Sequence, residues 1–214
     1  MKMKIAYIST SLPMECGIAT FNANLAIAIN QHDAISKDSF VIALSDAEDL
    51  KTYHYPKEVK YIIRQNNQKD YLRAANYINT SQVDACVIEH EFGIYGGESG
   101  LYLLTLMARI NKPIITILHT VLKQPNYIQQ TIIQQIAKRS ANIVVMSQKA
   151  IGFLTSIYQV PKEKIKYIEH GVPDLEPSTH NPIKAAYPFK DNKVLLTFGL
   201  ISRGKGLETV VEAY

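Results

Sequence analysis

Residues 114–120 read Ile114-Ile115-Thr116-Ile117-Leu118-His119-Thr120. The first five form a β-branched, almost wholly apolar run with no polar face. A strand of this kind has to be covered on both sides, as in a parallel sheet flanked by helices. Working outward, similar short runs are expected to be strands at 4–9, 40–44, 59–63, 85–88, 143–146 and 165–168. Helical periodicity fills the gaps. Phe21, Leu25 and Ile29 share one stripe of a helix over 18–29, and Tyr71, Leu72, Ala75 and Ile78 mark another. A helix is expected after the glycine-rich stretch that follows the fourth strand, running through Ile110. Ile128, Ile132 and Ile136 line a glutamine-rich helix over 126–137, and a further helix starts at Ser147 as N-cap and ends before Val160-Pro161. Alternating strands and helices predict an α/β chain, a Rossmann-like parallel sheet with helices on both faces.

The chain has 214 residues, 47% of them hydrophobic and 20% charged, with a net charge of +4. This excludes disordered, collagen-like and disulfide-scaffold classes. With no block of like charges, no nucleic-acid partner is expected. An anionic membrane surface is compatible with the charge, but no strongly basic amphipathic stripe supports it. No apolar stretch has the length of a membrane span, and the N-terminal run is too short for a signal peptide, so a cytoplasmic location is expected. Cys16 and Cys86 form no CxxC pair and are expected to be reduced.

The length exceeds one average domain and falls short of two. Prolines 173, 177, 182 and 188 mark a connector. The expected organisation is a domain over 1–175, a connector over 176–192, and the start of a second domain over 193–214. In that last part a strand at 194–198 runs into Gly199-Leu200-Ile201-Ser202-Arg203-Gly204-Lys205-Gly206 and then a helix. A lone strand–loop–helix cannot bury both its faces, so the sequence reads as cut within a second domain.

Four places could carry chemistry. The loop after the first strand ends in Cys16-Gly17 at a helix start, where free N–H groups and the helix dipole suit an anion. The fourth strand leads into Glu89-His90-Glu91-Phe92-Gly93-Ile94-Tyr95-Gly96-Gly97. There Glu91, Gly96 and Gly97 are candidates for a substrate-binding loop at the carboxyl end of a parallel strand, with a solvated acidic turn as the alternative. Neighbouring residues of a strand face opposite ways, and neither H-E-x-x-H nor a second acid–histidine cluster occurs, so no metal is expected. His119 stands just past the end of a central strand, where it would touch a ligand or serve as a structural histidine. Arg203 and Lys205 on their glycine-rich loop suit a diphosphate, or form a solvated basic turn. No G-x-S-x-G, Walker or G-x-G-x-x-G motif is present.

Together these segments resemble the retaining glycosyltransferases of family 4, which have the GT-B fold. The resemblance runs in order along the chain. It is carried by Pro13–Phe21, by Glu89–Gly97, by His119-Thr120, by Tyr167-Ile168-Glu169-His170-Gly171-Val172, and by Phe198–Glu208 with Leu200 where many members have arginine. It implies that 1–175 is an acceptor-binding domain and that a second domain binds a sugar nucleotide. It further implies transfer of a hexosyl group, mannosyl or glucosyl, to a glycan or lipid-linked acceptor, without metal or other cofactor. Gly17 would offer its N–H to the donor diphosphate, His119 would contact the transferred sugar or adjacent phosphate as the catalytic candidate, and Lys205 with Arg203 would hold the diphosphate. The family's paired-glutamate block is absent from these residues, so the 214-residue chain alone is expected to be inactive. The rival expectations are a GT-B epimerase, a glycogen-type synthase, or a non-catalytic α/β ligand-binding module.

Overall fold

The computed structural model describes residues 2–172, 193–199 and 206–213. The chain divides into two compact units, Met1–Pro173 and Asp174–Tyr214. The first holds one seven-stranded parallel sheet: β1 (Ile5–Thr10), β2 (Phe40–Ser45), β3 (Val59–Arg64), β4 (Ala85–His90), β5 (Ile114–Leu118), β6 (Asn142–Val145) and β7 (Ile165–Tyr167). They lie in the order β3-β2-β1-β4-β5-β6-β7. The helices are α1 (Gly17–Asn30), α2 (Gln68–Thr80), α3 (Tyr102–Met107), α4 (Tyr127–Arg139) and α5 (Gln148–Ser156). The expected Rossmann-like sheet with helices on both faces is thus what the chain forms.

Strand order explains how the helices are distributed. From β1 the chain first moves outward to β2 and β3, then returns and moves the other way through β4 to β7. Right-handed crossovers put the connecting helices on opposite faces for the two directions. Among the described residues of this unit, α1 is the helix that packs against Ile5, Tyr7, Val41, Val87, Ile117 and Val144, through Phe21, Leu25, Ala26 and Ile29, with Ile35 beside it. The other face, with Ile8, Ile42, Ile88 and Leu118, is covered by α2 to α5 through Tyr71, Ile78, Leu106, Ile132 and Leu154. This alternation along each strand is the two-residue period of β structure.

Several boundaries differ from expectation. Strand β4 runs two residues further, through Glu89 and His90, both completely buried. The helix expected through Ile110 is the short α3, preceded by a 3-10 turn at Glu98–Gly100; Ile110 lies beyond it yet is buried in the core. Ser147 precedes α5 but makes no side-chain cap bond. Asn126 does cap α4, in a reciprocal pair with Gln129. Both cysteines are free.

In the second unit, residues 193–198 carry no regular secondary structure, where a strand was expected over 194–198. A strand needs ladder partners, and none of the described residues pairs with this segment. The expected helix is present as α6 (Leu207–Ala213). The connector over 176–192 lies outside the described residues. No helix among the described residues is long and apolar enough to cross a membrane.

Candidate active site at the carboxyl end of the sheet

The chain reverses its direction of travel across the sheet at β1, which has β2 on one side and β4 on the other. The loops leaving β1 and β4 therefore part company, and their divergence opens a crevice at the carboxyl edge. The loop after β1 ends at α1; the loops after β4 and β5 carry Glu91 and His119.

Glu89 and His90 show strand alternation directly. Glu89 has the parity of Val87, which packs on the α1 side, and its Oε2 lies 2.8 Å from Nε2 of His119. Its other oxygen, Oε1, has no hydrogen-bond partner among the described residues. Burial raises the Glu89 carboxyl above its ordinary value, and the neighbouring His119 pulls it the other way. His90 has the parity of Ile88 and is enclosed on the opposite side. Its ring stacks on Tyr95, with centroids 6.2 Å apart, and meets Phe92 edge-on at 5.0 Å. Burial, reinforced by His119, pushes His90 down to about 3, so its ring is neutral near pH 7.

His119 keeps 13% of its side chain exposed. Its backbone N–H donates to the carbonyl of His90 at 3.0 Å, which anchors the first residue beyond β5 to the end of β4. Phe21 on α1 meets the His119 ring edge-on, with centroids 4.9 Å apart at 87°. On its other side Phe21 touches His170, with centroids 5.1 Å apart. Glu91 has a different task from Glu89. It accepts from the N–H of Phe92 at 3.0 Å and from the hydroxyl of Thr120, tying the two loops together.

Gly17 is the first residue of α1, exposed, and a Cβ there would meet nothing within 4 Å. Cys16, the N-cap, makes no side-chain cap bond and the first turn holds no acid. The N–H groups at this helix start are thus not taken up by a capping side chain, which suits an incoming anion. Gly96 and Gly97 are the reverse. The N–H of Gly96 donates to the Tyr71 hydroxyl at 2.9 Å, and a Cβ there would lie 1.9 Å from the backbone oxygen of Gln65. Gly97 has φ of +77° and rests against the Tyr102 ring. Packing alone therefore accounts for both glycines.

The structure brings His119, Glu91 and the Gly17 end of α1 to one edge of the sheet, with Phe21 one helical turn from Gly17. Arg203 and Lys205 lie outside the described residues. Glu89, Phe21 and His170 were not among the candidates from sequence. Only strand parity beyond Val87 could have pointed to Glu89. No cluster of histidine, cysteine or acid side chains among the described residues is arranged to hold a metal. A separate open concavity of about 610 Å³ lies at the amino end of the sheet, lined by Lys4, Phe40, Lys57 and Lys60 among others.

No family model matches the chain, and no curated protein matches it. Solved structures do. A glycosyltransferase from Rickettsia africae matches with a TM-score of 0.58 at 17% identity, over 86% of this chain and 48% of its own. The Anabaena protein HepE, in complex with UDP and glucose, matches with a TM-score of 0.52 at 14% identity, over 79% and 45%. An alpha-glucosyltransferase in complex with UDP-glucose and DNA containing an abasic site matches with a TM-score of 0.51 at 13% identity, over 79% and 42%. The chain thus spans less than half the length of each of these proteins, and the likeness shows the fold they share with it: a Rossmann-like domain of the GT-B kind.

Proposed function

We propose that this chain supplies the acceptor-side domain of a retaining glycosyltransferase of family 4. The reaction moves a hexosyl group, glucosyl or mannosyl, from a sugar nucleotide to a glycan or lipid-linked acceptor. The observation that carries this reading is the placement of His119. It sits at the carboxyl edge of the sheet just past β5, hydrogen-bonded to a fully buried carboxylate and in contact with the helix that begins at Gly17. That arrangement supports a site for a sugar attached to a phosphate: a ring nitrogen for the sugar, and backbone N–H groups with a helix dipole for the anion. The UDP, glucose and UDP-glucose bound by two of the structural neighbours agree with a uridine nucleotide as donor.

The chemistry follows from charge. Breaking the anomeric carbon–oxygen bond leaves negative charge on the departing diphosphate, and donors already aimed at that charge lower the barrier. On this reading the N–H of Gly17 is one such donor; Lys205 and Arg203, to which the resemblance gives the diphosphate, lie outside the described residues. No metal is assigned a role. His119 is the catalytic residue, touching the transferred sugar or the phosphate next to it. Retention is ascribed to front-face attack, with the departing phosphate assisting the acceptor's proton.

The test is His119→Ala in a transferase that contains both domains. It should lower kcat on a sugar nucleotide by about 100-fold or more. Unaltered transfer by that variant would remove His119 from the site. The 214 residues alone should show no turnover of any sugar nucleotide.

A further inference from the structure

We propose that Glu89 is the positioning residue for His119: its buried carboxylate fixes the imidazole in the Nε2–H form, which leaves Nδ1 as the nitrogen offered to the ligand. What that ligand is rests on the function proposed above; the state of the pair does not.

Glu89 is a costly residue for its place. It is completely buried at the end of a central strand, where desolvating a carboxylate is strongly unfavourable without a partner. Among the described residues its one ion-pair partner is His119, and no lysine or arginine lies within ion-pair distance. The fold makes little use of its side chain, since Oε1 accepts nothing. Glu91, two residues on, has both oxygens occupied: one accepts from the N–H of Phe92 and the other from the Thr120 hydroxyl. A core position next to Val87 and facing α1 would ordinarily carry an aliphatic side chain. The chain instead spends it on an acid whose bond goes to the catalytic candidate.

The pair also has a defined polarity. An ionised carboxylate only accepts, so with Glu89 charged the proton between Oε2 and Nε2 sits on the ring. A neutral imidazole that donates through Nε2 has its lone pair at Nδ1. The ring has little freedom to exchange the two nitrogens. Its Nε2 is held by Glu89 Oε2, and Phe21 meets the ring edge-on. The free nitrogen is therefore an acceptor, suited to a hydroxyl group on the ligand rather than to a bare phosphate oxygen. Apolar packing at position 89 would leave the ring's tautomer unset and the polarity of its free nitrogen undefined.

The test is long-range proton–nitrogen NMR on the uniformly ¹⁵N-labelled 214-residue chain near pH 7.5, with His119 assigned by the signal lost in His119→Asn. The wild type should show a single Nε2–H tautomer whose proton is protected from exchange. Glu89→Met, similar in shape but unable to accept, should lose that protected proton. A proton on Nδ1 in the wild type, or an unchanged protected Nε2–H in Glu89→Met, would overturn the proposal. Should the variant not fold, the wild-type tautomer decides. In a two-domain transferase whose activity His119→Ala lowers, Glu89→Met should lower kcat by about 10- to 100-fold while moving the donor KM less than threefold; an intact kcat there would likewise overturn it. If His119→Ala leaves transfer intact while the NMR result holds, it is the proposed function that fails and not the pairing.

Discussion

Two glycine-bearing loops leave the carboxyl edge of the sheet, after β1 and after β4, and their glycines are packed in opposite ways. After β1 the glycine stands in the open: Gly17 is exposed, and an added methyl would meet nothing. After β4 the glycines are crowded. Gly96 has a carbonyl where its Cβ would be, Gly97 lies on the Tyr102 ring, and beneath them His90 is sealed between Phe92 and Tyr95. A glycine in an open loop lets something approach from outside; a glycine in a crowded loop lets the chain approach itself. In sequence the two look alike, and the richer of them, Glu91–Gly100, looks more like a binding loop.

The sharpest way to break this contrast is Gly96→Ala. Its methyl would lie 1.9 Å from the backbone oxygen of Gln65, an atom that cannot swing aside as a side-chain tip can. A loss of about 3 kcal/mol or more is expected from urea denaturation. A loss below about 1 kcal/mol would mean the loop is looser than described.

Acid probes the same sealed region. His90 is held down to about 3 in the folded chain and titrates near 6.5 when unfolded. Between those values the unfolded state binds more protons, so stability is full above about pH 6.5 and falls as pH drops towards 3. The fall should approach 1.4 kcal/mol per pH unit at most, or roughly 2–3 kcal/mol between pH 6.5 and 4.5. Urea midpoints at several pH values measure it, and His90→Leu should flatten the curve. An equally steep curve in that variant would assign the acid sensitivity to other groups.

The smallest stability effect belongs to the open loop. Gly17→Ala should change stability by less than about 1 kcal/mol, since alanine favours the first helical turn and meets no obstacle. In a two-domain transferase the same change should weaken donor binding by about tenfold, seen as a raised KM, because the methyl stands where the diphosphate would meet the backbone. A donor KM unchanged by Gly17→Ala would leave both loops without a ligand.

The sheet was largely legible because buried parallel strands announce themselves by composition. β5 falls on the expected residues, β7 is one residue shorter than expected, and the other five are displaced or extended by one or two. The error with consequences is at β4. The apolar run stops at Ile88, but the strand continues through Glu89 and His90, because their backbone groups still pair with Ile117 and Leu118 of β5. Polarity concealed both the length of the strand and the partner of His119. The candidate positions at strand ends, Gly17, Glu91 and His119, could be picked out from the sequence, and the structure sets them at one edge of the sheet. The pairings were not legible, since Glu89 and His119 are thirty residues apart and only the β4–β5 register joins them. The segment at 194–198 shows the opposite case: β-rich composition does not make a strand without a neighbour to complete its ladder.

The central place of β1 has a further consequence, for the chain as it is being made. Of the strands in this sheet, β1 leaves the ribosome before the rest and is also one that needs partners on both sides. β2 and β3 can join one edge early, pairing Ala6 with Phe40 and Val41 with Val59. The opposite edge waits for Ala85–Ile88, the residues that pair with Ile5–Ile8. At about 5–20 residues per second, that leaves an apolar ribbon edge uncovered for a few seconds of synthesis. The nascent chain is then most open to joining another copy of itself, and the arrival of β4 closes that interval as it lays down the carboxylate beneath His119.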